Sequence, residues 1–208
     1  DGAILPIQQQ THREASTFLL HSGDPRPGKG LEWIGKSIEK WIAHSPNTQK
    51  FVIHIGELRY PEAYPEIAAA MQSIKNAKDK HPERLVLLEG YLDDESWERL
   101  MGSVSYAALL QDPRYYGEKT SGNFFDMLPQ QGSGLKVILT RHCLSSKILN
   151  IYDITHTAVT YGSDPEMIEL LHETDKIIAI EGHRGFEELL QFSHGKRHAE
   201  HLRERFSS

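Results

Sequence analysis

The sequence predicts an α/β protein built on a doubly wound, parallel sheet of about six strands. Two observations predict it. Short apolar runs alternate with longer segments whose apolar residues recur at helical spacing, the cadence of right-handed βαβ units. The first runs end in loops or turns containing glycine, the punctuation expected where a strand hands over to a helix. Size supplies a third: 208 residues, 38% hydrophobic and 25% charged, suit one folded domain over 1–208. Such a domain buries roughly 70% of the surface its unfolded chain exposes.

The elements follow in order. Thr17 to His21 is an apolar strand that runs into the breaker-rich loop Ser22-Gly23-Asp24-Pro25-Arg26-Pro27-Gly28-Lys29-Gly30. Leu31, Ile34, Ile38, Trp41 and Ile42 then mark a helix that stops at His44-Ser45-Pro46-Asn47. Lys50 to Ile55 is a second strand closed by Gly56, and Ile67, Ala70, Met71 and Ile74 a helix ending near His81-Pro82. Leu85 to Leu88 is the third strand. Asp93-Asp94 caps a helix through Trp97, Leu100 and Met101. Val104 to Leu110 is the fourth strand, followed by a polar loop and a short helix over Phe124 to Leu128. Lys136 to Leu139 is a fifth strand and Thr157 to Thr160 a sixth. Asp164-Pro165-Glu166 opens a helix, with proline at its first position and acids in its first turn. The remainder is expected to be mostly helical to Phe206.

Charge narrows the function. With 23 Lys+Arg against 29 Asp+Glu the net charge is −6, so the basic footprint of a nucleic-acid binder is missing. The single Cys143 forms no internal disulfide and points to the cytoplasm. No run approaches 18 apolar residues, and Asp1 to Pro6 lacks the features of a signal peptide. Without an initiator Met, the chain is expected to be a fragment.

In open parallel sheets ligands bind beyond the carboxyl ends of the strands, and two loops there carry suitable chemistry. In Gly23 to Gly30 the glycines allow close backbone approach, Lys29 adds a point charge, and a helix N-terminus follows. That combination suits a phosphate; the alternative is a plain turn with a solvated lysine. The second loop is Glu118-Lys119-Thr120-Ser121-Gly122-Asn123-Phe124-Phe125-Asp126, with two carboxylates eight positions apart. Carboxylates accept from hydroxyls, and the small residues between them can aim backbone N–H groups at an anion. A sugar nucleotide, with hydroxyls at both ends and a diphosphate between, fits this pattern.

In this order the loops resemble the C-terminal, donor-binding domain of GT-B-fold retaining glycosyltransferases, and the resemblance covers nearly the whole chain. Asp1-Gly2-Ala3-Ile4 is similar to the tail of the family's linker, and Gly23 with Lys29-Gly30 to its Gly-Arg-x4-Lys-Gly loop. Ile53-His54-Ile55-Gly56 and Leu87-Leu88-Glu89-Gly90-Tyr91-Leu92 resemble its strand-Gly segments, and Glu118 to Asp126 its Glu-x7-Glu motif. Gly134 to Ile138 and Phe192-Ser193 echo later segments. The resemblance implies a Rossmann-like domain, the C-terminal half of a GT-B fold. In it Lys29 and Glu118 are catalytic, Lys29 on the donor diphosphate and Glu118 on the hydroxyls of the transferred sugar. Asp126 holds the ribose, and Thr120, Ser121, Gly122 and Asn123 cradle the phosphates. Gly56, Tyr91 and Leu92 flank the nucleobase, and Gly23 and Arg26 complete the donor site. It also implies retaining transfer of a hexose to a glycan or lipid-linked acceptor, no metal or other cofactor, and an N-terminal acceptor domain as partner. Peripheral membrane association of the parent follows from lipid-linked acceptors. Asp24 stands where the family has Arg, with Arg26 two positions on as its substitute, and Asp126 where it has Glu.

Two other functions fit the same loops: a nucleotide-sugar epimerase of GT-B architecture, and a non-catalytic flavodoxin-like interaction module. Among remaining signals, His194, His198 and His201 share a helical face and read as exposed polar residues rather than metal ligands. His142-Cys143 lacks an activating third group and reads as structural. Trp33, Ile38 and Trp41 read as core.

Overall fold

A computed structural model describes residues 16–58, 61–120, 122–127, 135–180 and 184–193. The predicted alternation is present. β1 (Thr17–His21) leads to α1 (Leu31–His44), β2 (Lys50–Ile55) to α2 (Pro65–Lys80) and β3 (Leu85–Glu89) to α3 (Asp94–Ser103). β4 (Tyr106–Leu109) is followed by two short helices, α4 (Pro113–Tyr116) and α5 (Gly122–Met127). β5 (Lys136–Thr140) leads to α6 (Leu144–Ile151), β6 (Thr157–Val159) to α7 (Asp164–His172), and α8 spans Arg184–Ser193.

The six described strands form one parallel sheet in the order β3-β2-β1-β4-β5-β6. Phe18 lies beside Phe51 of β2 on one flank and beside Tyr106 of β4 on the other. The direction of winding therefore reverses between β1 and β4, and the loops leaving those two strands diverge to open a crevice. Burial on both faces explains the near-continuous apolar strands. One layer of core joins Phe18, Phe51 and Ile53 to α1, α2 and α7; the other joins Leu19, Val137 and Leu139 to α3, α5, α6 and α8.

Trp33 and Trp41 are core, as expected, packed edge to face at 5.4 Å. Their indole N–H groups both donate to Asp164 Oδ1, at 2.9 and 3.2 Å, which fastens α1 to the first turn of α7. Asp93 caps α3, its carboxylate accepting the Ser96 N–H at 2.8 Å.

Several boundaries differ from the expectation. β4 is shorter than the expected Val104–Leu110, although Ser105 still donates to the Thr17 carbonyl and accepts from the Lys136 N–H. The loop after β4 contains α4, started by Asp112, whose carboxylate accepts the Arg114 N–H, with Pro113 in the first turn. α5 begins two residues before Phe124, and Leu128 lies outside the described residues. The tail is not continuously helical: a 3-10 turn at Thr174–Lys176 precedes an extended Ile177 before α8. His194, His198 and His201 lie outside the described residues.

Candidate functional site

The site starts at the end of β1. His21 is buried beneath the loop and its Nδ1 donates to the Lys29 carbonyl at 3.2 Å. Burial first, and the Lys29 charge second, push its pKa down to about 3, so the ring stays neutral. From the neighbouring strand, His54 Nε2 donates to the Gly90 carbonyl at 2.8 Å. A carbonyl only accepts, so Nε2 carries the proton and Nδ1 is left to accept from Ser22 Oγ at 2.9 Å and from the Gly23 N–H at 3.3 Å. Burial holds this imidazole below the ordinary histidine range as well. The ends of β1, β2 and β3 are thereby tied through one neutral side chain.

Above this network lies a cleft of about 970 Å³. Lys29 reaches into it: a β-carbon built on Gly23 would lie 3.5 Å from Lys29 Nζ and 3.6 Å from Asn123 Nδ2. Asn123 comes from α5 and donates to the Ser22 carbonyl at 2.6 Å. The Gly23 backbone, an ammonium and an amide thus meet at one point. Lys29 Nζ has no hydrogen-bonding or ion-pair partner among the described residues. Burial, and then the nearby Arg26 guanidinium, lower its pKa from the usual lysine value. The carboxylates Asp24, Glu57, Asp94 and Asp126 line the same cleft. Burial raises the Asp126 pKa, and its Oδ2 lies 3.8 Å from where a β-carbon of Gly122 would stand. Tyr91, 89% exposed, and Trp97 stand on the β3 side.

Gly23, Lys29, Gly56, Tyr91, Leu92, Asn123 and Asp126, all predicted from the sequence, line this one cleft. Others do not. Arg26 pairs with Asp24 at 3.0 Å and lies outside the lining. Glu118 is exposed and lines a separate hollow after β4. Thr120 and Gly122 line neither, and Ser121 lies outside the described residues. Sequence reasoning missed Ser22 and His54; a histidine inside the apolar strand Lys50–Ile55 was the available signal. Cys143 is structural: it is buried, its Sγ donates to the Gln111 carbonyl, and burial pushes the thiol up to about 12. Among the described residues no group of three or more His, Cys, Asp or Glu is placed to hold a metal, and no helix is long and apolar enough to cross a membrane.

No protein-family model matches the sequence, and no curated protein does. Solved structures do. A trehalose-6-phosphate synthase, OtsA, superposes with a TM-score of 0.69 at 10% identity, over 86% of this chain and 41% of its own. The fold is that of one half of a GT-B glycosyltransferase. An α,α-trehalose-phosphate synthase (UDP-forming) from Burkholderia vietnamiensis has this half fold at TM-score 0.68 and 11% identity, over 94% of this chain and 46% of its own. An E. coli trehalose-6-phosphate structure bound with UDP-2-fluoro glucose has it at TM-score 0.65 and 11% identity, over 86% and 40%. The chain spans about two fifths of these GT-B proteins.

Proposed function

We propose that the chain is the donor-binding half of a retaining glycosyltransferase that uses a nucleoside-diphosphate hexose. The observation that carries this reading is Lys29 Nζ, unpaired among the described residues, beside the Gly23 backbone and the Asn123 amide at the strand-order reversal of a GT-B half fold. A structural neighbour bound with UDP-2-fluoro glucose supports it. In transfer, the bond from the sugar's anomeric carbon to the diphosphate breaks, the diphosphate keeps the electron pair, and an acceptor hydroxyl bonds to that carbon. Negative charge therefore grows on the leaving diphosphate. Lys29 is proposed to stabilise it as a preorganised cation, so that no metal is required. Asp126 accepts from the ribose hydroxyls, and Tyr91 and Leu92 flank the base. Glu118 is assigned to the sugar hydroxyls on the resemblance alone.

The acceptor, a glycan or lipid-linked saccharide, is proposed to bind an N-terminal domain of the parent, in the cytoplasm, with peripheral membrane contact where the acceptor is lipid-linked. The four carboxylates of the cleft favour one second reading, a non-catalytic module of the same fold. Calorimetric titration with UDP, GDP and ADP separates the two. Saturable binding of one base supports the donor site; absence of heat with all three, at concentrations up to millimolar, supports the module.

A further inference from the structure

β2 lies between β1 and β3 in the sheet, and the loops leaving those two outer strands carry the two ends of the proposed donor site. Gly23, after β1, stands beside Lys29; Gly90, after β3, directly precedes Tyr91. Neighbouring strands are spaced about 4.8 Å apart, so the two ends lie roughly 10 Å from each other. His54, in β2, is hydrogen-bonded to both.

At the β1 end the backbone is held from three elements. His54 Nδ1 accepts from the Gly23 N–H at 3.3 Å and from Ser22 Oγ at 2.9 Å. The Gly23 carbonyl accepts the Gly56 N–H at 2.9 Å, and the Ser22 carbonyl accepts from Asn123 at 2.6 Å. Gly23 has a φ of +98°, in the left-handed region, so this turn is a specific conformation and the contacts around it are what hold it beside Lys29. At the β3 end, His54 Nε2 donates to the Gly90 carbonyl at 2.8 Å, and the Gly90 N–H donates to the Ile55 carbonyl at 2.9 Å. Gly90 too is left-handed, at φ +94°, and Tyr91 and Leu92 leave the sheet from this turn. His54 is only 6% exposed and both its ring nitrogens are occupied, which leaves it no polar atom for a ligand. One rigid ring therefore sets the separation of the two turns.

We propose that His54 is the positioning residue of the donor site, its Nδ1 acceptor setting the diphosphate end and its Nε2 donor setting the base end. This role rests on the nucleotide-sugar reading above. The two halves of the role are separable by substitution, because a side-chain amide reaches as far as Nδ1 in asparagine and as far as Nε2 in glutamine. His54→Asn keeps an acceptor for Gly23 and Ser22 and loses the donor to Gly90. His54→Gln keeps a donor to Gly90 and loses the acceptor for Gly23 and Ser22.

The test is amide NMR titration of the full chain with UDP and, separately, uridine, in the native sequence and in the two variants at neutral pH. His54→Gln is expected to bind uridine as the native chain does and UDP about fivefold to tenfold more weakly, so that the advantage of UDP over uridine shrinks by that factor. His54→Asn is expected to bind both ligands about fivefold more weakly and to keep the native ratio between them. The property that each variant retains shows that it folds. Losses in the same proportion for both ligands in both variants, the signature of a residue that only supports the fold, overturn the role, and so do two variants that bind as the native chain does. If the native chain binds neither ligand, the donor reading falls and the role with it; if the native chain binds both and the two variants do not differ, the role alone falls.

Discussion

Asn123 Nδ2 donates to the carbonyl of Ser22 at 2.6 Å, joining α5 to the end of β1 across 101 residues of sequence. This contact holds the amide beside Gly23 in the lining of the cleft that Lys29 also enters. Asn123→Ala is expected to weaken nucleotide binding by about fivefold to tenfold, the worth of roughly one neutral hydrogen bond. Calorimetry on the folded variant reads this directly. Unchanged affinity would mean the contact closes the fold without shaping the site.

Gly30 has a φ of +94°, and a β-carbon there would stand 2.3 Å from the Leu110 carbonyl oxygen. Gly30→Ala therefore meets both a strained backbone and an overlap, and is expected to lose roughly 2 kcal/mol or more of stability. Gly102→Ala, in α3 with nothing within 4 Å, is expected to be neutral or to gain up to about 1 kcal/mol. Urea midpoints of the two variants compare them.

His21 and His54 both titrate below an unfolded histidine, His21 at about 3. As pH falls below roughly 6.5 the unfolded chain takes up protons that the folded chain refuses. For His21 stability is thus full above that pH and declines from there toward about pH 3, by up to about 1.4 kcal/mol per pH unit, and His54 adds to the loss in the same direction. Denaturation at pH 7 and pH 5 measures the loss, and His21→Gln should reduce it. A flat profile in this window would show that the rings are protonated in the fold.

Cys143 is fully buried and its thiol is pushed up to about 12. It should resist a thiol reagent at pH 8 in the native protein and react promptly in denaturant. Rapid native labelling would contradict the packing against Gln111.

The sheet was legible because burial on both faces writes each strand as an apolar run and each helix as a 3.6-residue stripe. α6 was not. Ser145 and Ser146 interrupt Leu144-Ser-Ser-Lys-Ile-Leu, and both serines are buried in the fold, which polarity alone does not announce. α4 carries a readable Asp-Pro start, yet four residues leave no periodicity to find. In the site, Lys29, Asn123 and Asp126 were readable as loop chemistry. His54 was hidden because it acts through backbone groups of two other strands, and Glu118 because eight residues of sequence do not say whether two carboxylates share a cleft. Arg26 was expected to serve the donor and instead pairs with Asp24, a contact two positions away that spacing alone leaves open.

Whether Lys29 holds a diphosphate is decided by the affinities of UDP and uridine for the native chain and for Lys29→Ala. UDP is expected to bind more tightly than uridine, and Lys29→Ala to cost roughly 10-fold to 100-fold for UDP, the loss of one charge-assisted contact, while leaving uridine unaffected. Equal affinity of UDP and uridine, or a Lys29→Ala variant that binds UDP as the native chain does, would contradict it.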